Sequence, residues 1–143
     1  MRLAALAATR STCPRRQVGA VLVRDARVIA TGYNGSLRGQ PHCLDVGCLM
    51  VGGHCKRTVH AEVNALLQCA RYGVSSDGAT LYTTCFPCWD CAQGLVQAGV
   101  GRVVFREVYA GLPGDDEPDA LRVQEAALGV LRAAAVDVGR LVG

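Results

Sequence analysis

The chain has 143 residues, of which 50% are hydrophobic and 19% charged, with a formal net charge of +3. That composition supplies a sizeable core for one domain over 1–143 and excludes intrinsic disorder. No apolar run approaches the roughly 20 residues that a membrane helix needs, and with 5% aromatics and no RNP-type motif a nucleic-acid partner is not expected.

The charge is unevenly spread. Residues 1–59 hold nine Lys/Arg against Asp25 and Asp45, whereas residues 60–143 hold six Arg against ten Asp/Glu. A basic first part suits a phosphorylated small molecule. Eight cysteines would suggest a disulfide frame in a secreted protein. The apolar start is too short for a signal peptide, and Arg10 interrupts it. The expectation is therefore a reducing cytoplasm, with cysteines used for metal.

In chain order, residues 2–9 read as a short helix and Cys13-Pro14-Arg15-Arg16 as a turn. Val18–Val23 and Val28–Tyr33 read as strands joined in a hairpin through Arg24-Asp25-Ala26-Arg27. Tyr33-Asn34-Gly35 then ends the second strand. Residues 35–59 show no clear periodicity and carry five glycines, together with Cys43, Cys48, Cys55, His42 and His54. A structureless loop of that length is uncommon without a task, and a metal staple would explain its order. A helix is expected over 60–72, a strand over Thr80–Thr84, a helix over 88–98 and a strand over Arg102–Phe105. Gly111–Asp116 reads as a loop, Glu117–Ala134 as a helix, and Val136–Val142 as a last short strand. Strands alternating with helices point to an α/β layered domain.

Chemistry concentrates in His60-Ala61-Glu62 and Pro87-Cys88-Trp89-Asp90-Cys91. Zinc favours imidazole and thiolate, and a catalytic site uses three protein ligands with one position left open. His60, Cys88 and Cys91 can supply the three. Glu62 stands two residues from a ligand, able to move protons without ligating. On a helix, Cys88 and Cys91 at i and i+3 would share a face, and Pro87 suits a helix start. Two helix N-termini would then point at one ion, favouring ionised cysteines. Taken alone, a histidine before an apolar helix is structural, and Cys-x-x-Cys is redox-active or structural as readily as catalytic. The combined pattern is that of zinc-dependent nucleobase deaminases.

These motifs come with Arg16-Gln17-Val18-Gly19-Ala20-Val21, Thr31-Gly32-Tyr33-Asn34-Gly35 and Phe86-Pro87. From Cys13 to Tyr109 the chain resembles the deoxycytidylate (dCMP) deaminases, including the late-competence operon members. The resemblance implies a cytidine-deaminase-like α/β/α fold of three layers, with a five-stranded mixed sheet and both motif helices on one side. It implies hydrolysis of dCMP to dUMP and ammonia, supplying dUMP for dTMP synthesis. It makes His60, Cys88 and Cys91 the catalytic zinc ligands and Glu62 the proton shuttle. Asn34 would bond the nucleotide sugar, Ala61 would offer backbone contacts to the pyrimidine, and Tyr109 would lie against the base. Without that context Asn34 is a turn former and Tyr109 packing. Asn64 either orients the Asn34 loop, adding to the substrate site, or packs. Homo-oligomers, up to hexamers, and allosteric dCTP and dTTP effects are also implied. Arg71 falls at an effector- or interface-linked position, or is a helix-end cation.

Some members of that family carry a second, structural zinc, and Cys13 and Cys43 match two of its ligand positions. Cys48 and Cys55 are the obvious remaining thiols, with His54 and His42 as alternates; buried free cysteines are the competing explanation. Cys85 departs from the family pattern and, like Cys69, reads as a packed thiol. For the phosphate, Arg16, Arg38 and Arg57 are candidates, with Arg15 and Lys56 beside them. Planar Arg suits bidentate contact, although each also reads as a solvated charge. Two rivals remain: a tRNA adenosine or other nucleobase deaminase of the same fold, and a non-catalytic zinc-stabilised binding module in DNA uptake. Glu62 argues against the second, because a structural zinc site needs no such carboxylate.

Overall fold

The first apolar runs form the expected hairpin. Helix α1 (Arg2–Ala8) leads into β1 (Gly19–Arg24), which pairs antiparallel with β2 (Arg27–Tyr33). Asp25 and Ala26 make the turn at φ 51° and 59°. Positive φ at both positions lets a two-residue turn follow the strand twist. The computed structural model describes residues 1–108 and 117–142. Tyr109 and the Gly111–Asp116 segment lie outside the described residues.

Residues 35–59 are less irregular than their sequence suggests. They contain β3 (Gly35–Ser36), a single turn α2 (Cys43–Val46), β4 (Met50–Val51), β5 (His54–Cys55) and β6 (Thr58–Val59). β3 pairs with β6 and β4 with β5, so one ladder closes the base of the segment and another its tip. Two-residue strands carry no readable alternation, which is why the pattern looked structureless.

Next come α3 (Ala61–Tyr72), β7 (Thr80–Cys85), α4 (Trp89–Gln97), β8 (Arg102–Glu107), α5 (Glu117–Ala133) and β9 (Asp137–Arg140). Gly73 ends α3 at φ 67°, the left-handed cap that a side chain resists. The main sheet has five strands in the order β2-β1-β7-β8-β9. Its first three strands pair antiparallel and the last three parallel, which makes the sheet mixed.

Register assigns the two faces. Leu22 pairs with Ala30 and Leu81, and Leu81 with Val103. This face joins a core with Ala61 and Ala65 of α3, Ala92 and Leu95 of α4, and Ala127 and Leu131 of α5. The opposite face carries Gly19, which lies against the backbone of Ala4 and Ala8 of α1, and the buried Val21. The chain therefore builds the three-layer α/β/α arrangement, with both motif helices on one side.

Two glycines let helices touch the sheet backbone. A Cβ on Gly19 would lie 2.0 Å from the Ala4 carbonyl oxygen, and one on Gly32 would lie 2.0 Å from that of Ala61. Neither obstacle is a movable side-chain end. Gly32→Ala is expected to push α3 off β2 and cost about 1–3 kcal/mol, read as a lower urea midpoint.

Candidate metal centre and active site

His60 and Cys88 each stand one residue ahead of a helix. His60 caps α3 with φ −67° and ψ 154°, and Cys88 caps α4 with φ −68° and ψ 173°. Cys88 is therefore not inside the helix, as the i, i+3 argument assumed. Its extended backbone, behind the fully buried Pro87, directs its sulfur toward the one from the first turn. Cys88 Sγ and Cys91 Sγ both lie 3.4 Å from His60 Nδ1. Donors about 2.0–2.3 Å from a tetrahedral zinc stand about 3.5 Å apart, so the spacing is that of one edge set around an ion.

Glu62 is 3% exposed, and its Oε2 lies 3.7 Å from Cys91 Sγ. Burial pushes its carboxyl up to about 7. The hydrogen bond from Cys91, reinforced by His60, pulls Cys88 down to about 4. The Cys88 thiolate in turn lifts His60 to about 9, and holding the shared proton pushes Cys91 upward. A divalent cation held by the three donors would take the place of the protons they share.

A second cluster lies in the irregular segment. The sulfurs of Cys13, Cys43, Cys48 and Cys55 all fall within 4.8 Å of one another. Cys13 is 3.7 Å from Cys48, and Cys43 is 3.6 Å from Cys55. Tetrahedral zinc–thiolate geometry at about 2.3 Å gives edges of about 3.8 Å. Neither His42 nor His54 belongs to the group. Burial, aided by the neighbouring thiols, pushes Cys43 up to about 12. Apolar burial does little to hold this segment, since Leu37, Leu44, Val46, Leu49, Met50 and Val51 are all at least 44% exposed. Four soft donors at ligand spacing fit a structural metal.

The remaining predicted residues separate by what they touch. Asn34 is buried, with Oδ1 accepting from the Val18 N–H and Nδ2 donating to the Arg16 carbonyl, each at 2.8 Å. One Nδ2 hydrogen is left by these two bonds. Ala61 is fully buried in the first turn of α3, where backbone N–H groups lack helical partners. Asn64 donates from Nδ2 to the carbonyls of Tyr33 and Val59, at 2.8 and 3.4 Å. It therefore ties α3 to the end of β2 and to Val59.

Both clusters fall within residues 1–107, which match the family described as the cytidine and deoxycytidylate deaminase zinc-binding region. The chain belongs to this deaminase family. It is 55% identical over 108 residues to ComE operon protein 2 of Bacillus subtilis, covering 76% of this chain and 57% of that protein. It is 44% identical over 115 residues to the deoxycytidylate deaminase of Saccharomyces cerevisiae, covering 76% of this chain and 36% of that protein. The chain thus spans about half or less of these curated relatives. A crystal structure of the cyanophage S-TIM5 dCMP deaminase with dCMP and dUMP superposes with a TM-score of 0.80 at 32% identity, over 98% of this chain and 92% of that one.

Within this deaminase-family chain the candidate phosphate cations are dispersed. Arg57 donates from Nε to the Gly47 carbonyl at 3.1 Å, bracing the cysteine segment. Arg15 does similar work, donating from Nη1 to the Gly53 carbonyl at 2.8 Å. Arg38 is exposed, and Arg16 is half-buried beside Asn34. Arg71 lies 5.9 Å from the centroid of the Tyr72 ring at the end of α3. Cys69 and Cys85 are both buried. Burial raises Cys85 to about 11, as befits a packed thiol.

Two tertiary links escaped the motif reading. Thr12 Oγ1 accepts the Ser36 N–H of β3 at 3.1 Å, and Gln68 accepts the Thr31 N–H of β2 at 2.8 Å. Neither belongs to a recognisable pattern. Only the proximity of Thr12 to Cys13 could have drawn attention to it.

Proposed function

We propose that the chain hydrolyses dCMP with water to dUMP and ammonia, using one zinc held by His60, Cys88 and Cys91. The observation that carries this reading is Glu62, a buried carboxyl beside a three-donor cluster at the mouth of two helices. Zinc held there supplies Lewis acidity that brings the ionisation of water down toward neutral pH. Glu62 takes a proton from the incoming water and gives it to N3 as the C4–O bond forms. It then takes the remaining proton from the new C4 hydroxyl and passes it to the amine, so that C4=O forms as the C4–N bond breaks and ammonia leaves.

Asn34 then bonds the sugar through its remaining amide hydrogen, Ala61 offers its backbone to the pyrimidine, and Tyr109 is the residue we assign to the base. Arg16 and Arg38 are the basic groups we assign to the phosphate. The four-cysteine cluster holds a second zinc with a structural role, and the eight unpaired cysteines suit a reducing compartment such as the cytoplasm. We also read the protein as a homo-oligomer that responds to dCTP and dTTP.

Purified protein incubated with dCMP should lose cytosine absorbance and release ammonia in equal amounts. Cytidine, dCTP and a tRNA anticodon hairpin run alongside, and dCTP and dTTP are added as effectors to the dCMP reaction. Deamination of the hairpin with dCMP untouched would transfer the assignment to the tRNA adenosine branch. Turnover of neither would leave a binding module.

A further inference from the structure

We propose that Thr12 is a positioning residue that fastens the four-cysteine cluster to the Asn34 segment and thereby sets nucleotide affinity. This rests on the reading above in which Asn34 bonds the substrate sugar.

Thr12 stands next to Cys13 and is half-buried. Its N–H donates to the Asn34 carbonyl at 3.3 Å, and its Oγ1 accepts the Ser36 N–H at 3.1 Å. Its own carbonyl accepts the N–H of Leu44, the residue after Cys43, at 3.3 Å. One residue thus joins two cysteine-bearing segments to residues 34–36. The hydroxyl fits closely, since a Cβ on Gly35 would lie 3.3 Å from it.

Asn34 is gripped from the other side as well. The Arg16 carbonyl accepts both Asn34 Nδ2 at 2.8 Å and Ser11 Oγ at 3.3 Å. Ser11 Oγ also accepts the Cys13 N–H at 3.3 Å. The bonds close a ring from Cys13 through Ser11, Arg16, Asn34 and Thr12 back to Cys13. The ring ties the Cys13 backbone to that of Asn34, and the Thr12 hydroxyl extends the tie to the Ser36 N–H, so that residues 34–36 are held beside the cysteine cluster by a connected set of bonds. Among the described residues, the hydrogen bonds of Thr12 run to Asn34, Ser36 and Leu44 and not to Glu62 or the three-donor cluster. Its influence therefore falls on substrate placement and not on proton transfer.

Thr12→Val removes the acceptor oxygen and with it the hold on Ser36, the part of the link to residues 34–36 that the side chain makes, while the backbone bonds to Asn34 and Leu44 remain; Thr12→Ser restores the oxygen. For Thr12→Val the expected result is a rise of about 5–10-fold in KM for dCMP and in Kd for dUMP, in line with one lost hydrogen bond. The kcat stays within about twofold, and zinc stays at the wild-type content. Thr12→Ser returns both constants to near wild type. An unchanged KM and Kd, a fall in kcat alone, loss of zinc, or failure of Thr12→Ser to rescue would each overturn the proposal. If Thr12→Val does not fold, Thr12→Ala is read against the same criteria, with dUMP binding followed by titration calorimetry. Wild-type protein that ignores dCMP and dUMP overturns the underlying reading and this proposal with it. An active wild type with indifferent Thr12 variants overturns Thr12 alone.

Discussion

Glu62→Gln is expected to lower kcat on dCMP by about 10²–10⁴-fold, the range of a lost general acid–base, while zinc content stays at the wild-type value. Glutamine copies the shape of the side chain but cannot accept or return a proton. Glu62 lies outside the three-donor group, although its Oε2 is 3.7 Å from Cys91 Sγ. Metal retention and turnover should therefore separate in this variant, and metal analysis beside steady-state kinetics reads both. Retained turnover would remove Glu62 from the reaction. Stability gives an independent check in zinc-stripped protein. Burial raises the carboxyl from 4.5 to about 7. The folded state thus prefers the protonated form, and stability present below pH 4.5 is lost as pH rises toward 7. Glutamine escapes that loss. The variant should gain up to about 3 kcal/mol over wild type at pH 8, and almost nothing at pH 4, in urea titrations.

Cys43→Ser is expected to reduce zinc from two ions per chain to one and to open the segment over residues 37–57 to protease. The argument lies in what else holds that segment. Its strands are two residues long, and its large apolar side chains face outward. Each ladder adds only a few net hydrogen bonds of about 1 kcal/mol, whereas structural zinc in small peptides contributes about 10–16 kcal/mol. Removing one thiolate leaves the remaining three cysteines without a closed tetrahedron. Limited proteolysis followed by mass spectrometry should show new cuts near Gly52-Gly53, and melting should begin at lower temperature. Two zinc ions per chain in Cys43→Ser, or one in the wild type, would end the second-metal reading.

Local chemistry was legible along the chain wherever a short pattern carried it. His60-x-Glu62 and Pro87-Cys88-x-x-Cys91 occupy helix starts because extended, capping residues there precede runs with apolar residues at helical spacing. The β1–β2 hairpin followed from two alternating runs around a short polar turn. The helices and longer strands lie within a residue or two of their expected limits. Cys88 was the exception in detail. Spacing alone could not tell a cap from a first helical turn, because both bring its sulfur near Cys91.

Other features depend on contacts between distant parts of the chain. Cys13 meets Cys43, Cys48 and Cys55 where the backbone of Thr12 is bonded to both Asn34 and Leu44. Asn64 reaches the carbonyls of Tyr33 and Val59 because Gly32 lets α3 lie directly on β2. The sequence by itself determined which side chains could do the chemistry, since donor type and capping act over a few residues. Which thiols share a cluster, and which amides hold the end of β2, was decided by tertiary packing. Those bonds join residues whose separation along the chain leaves no period to read.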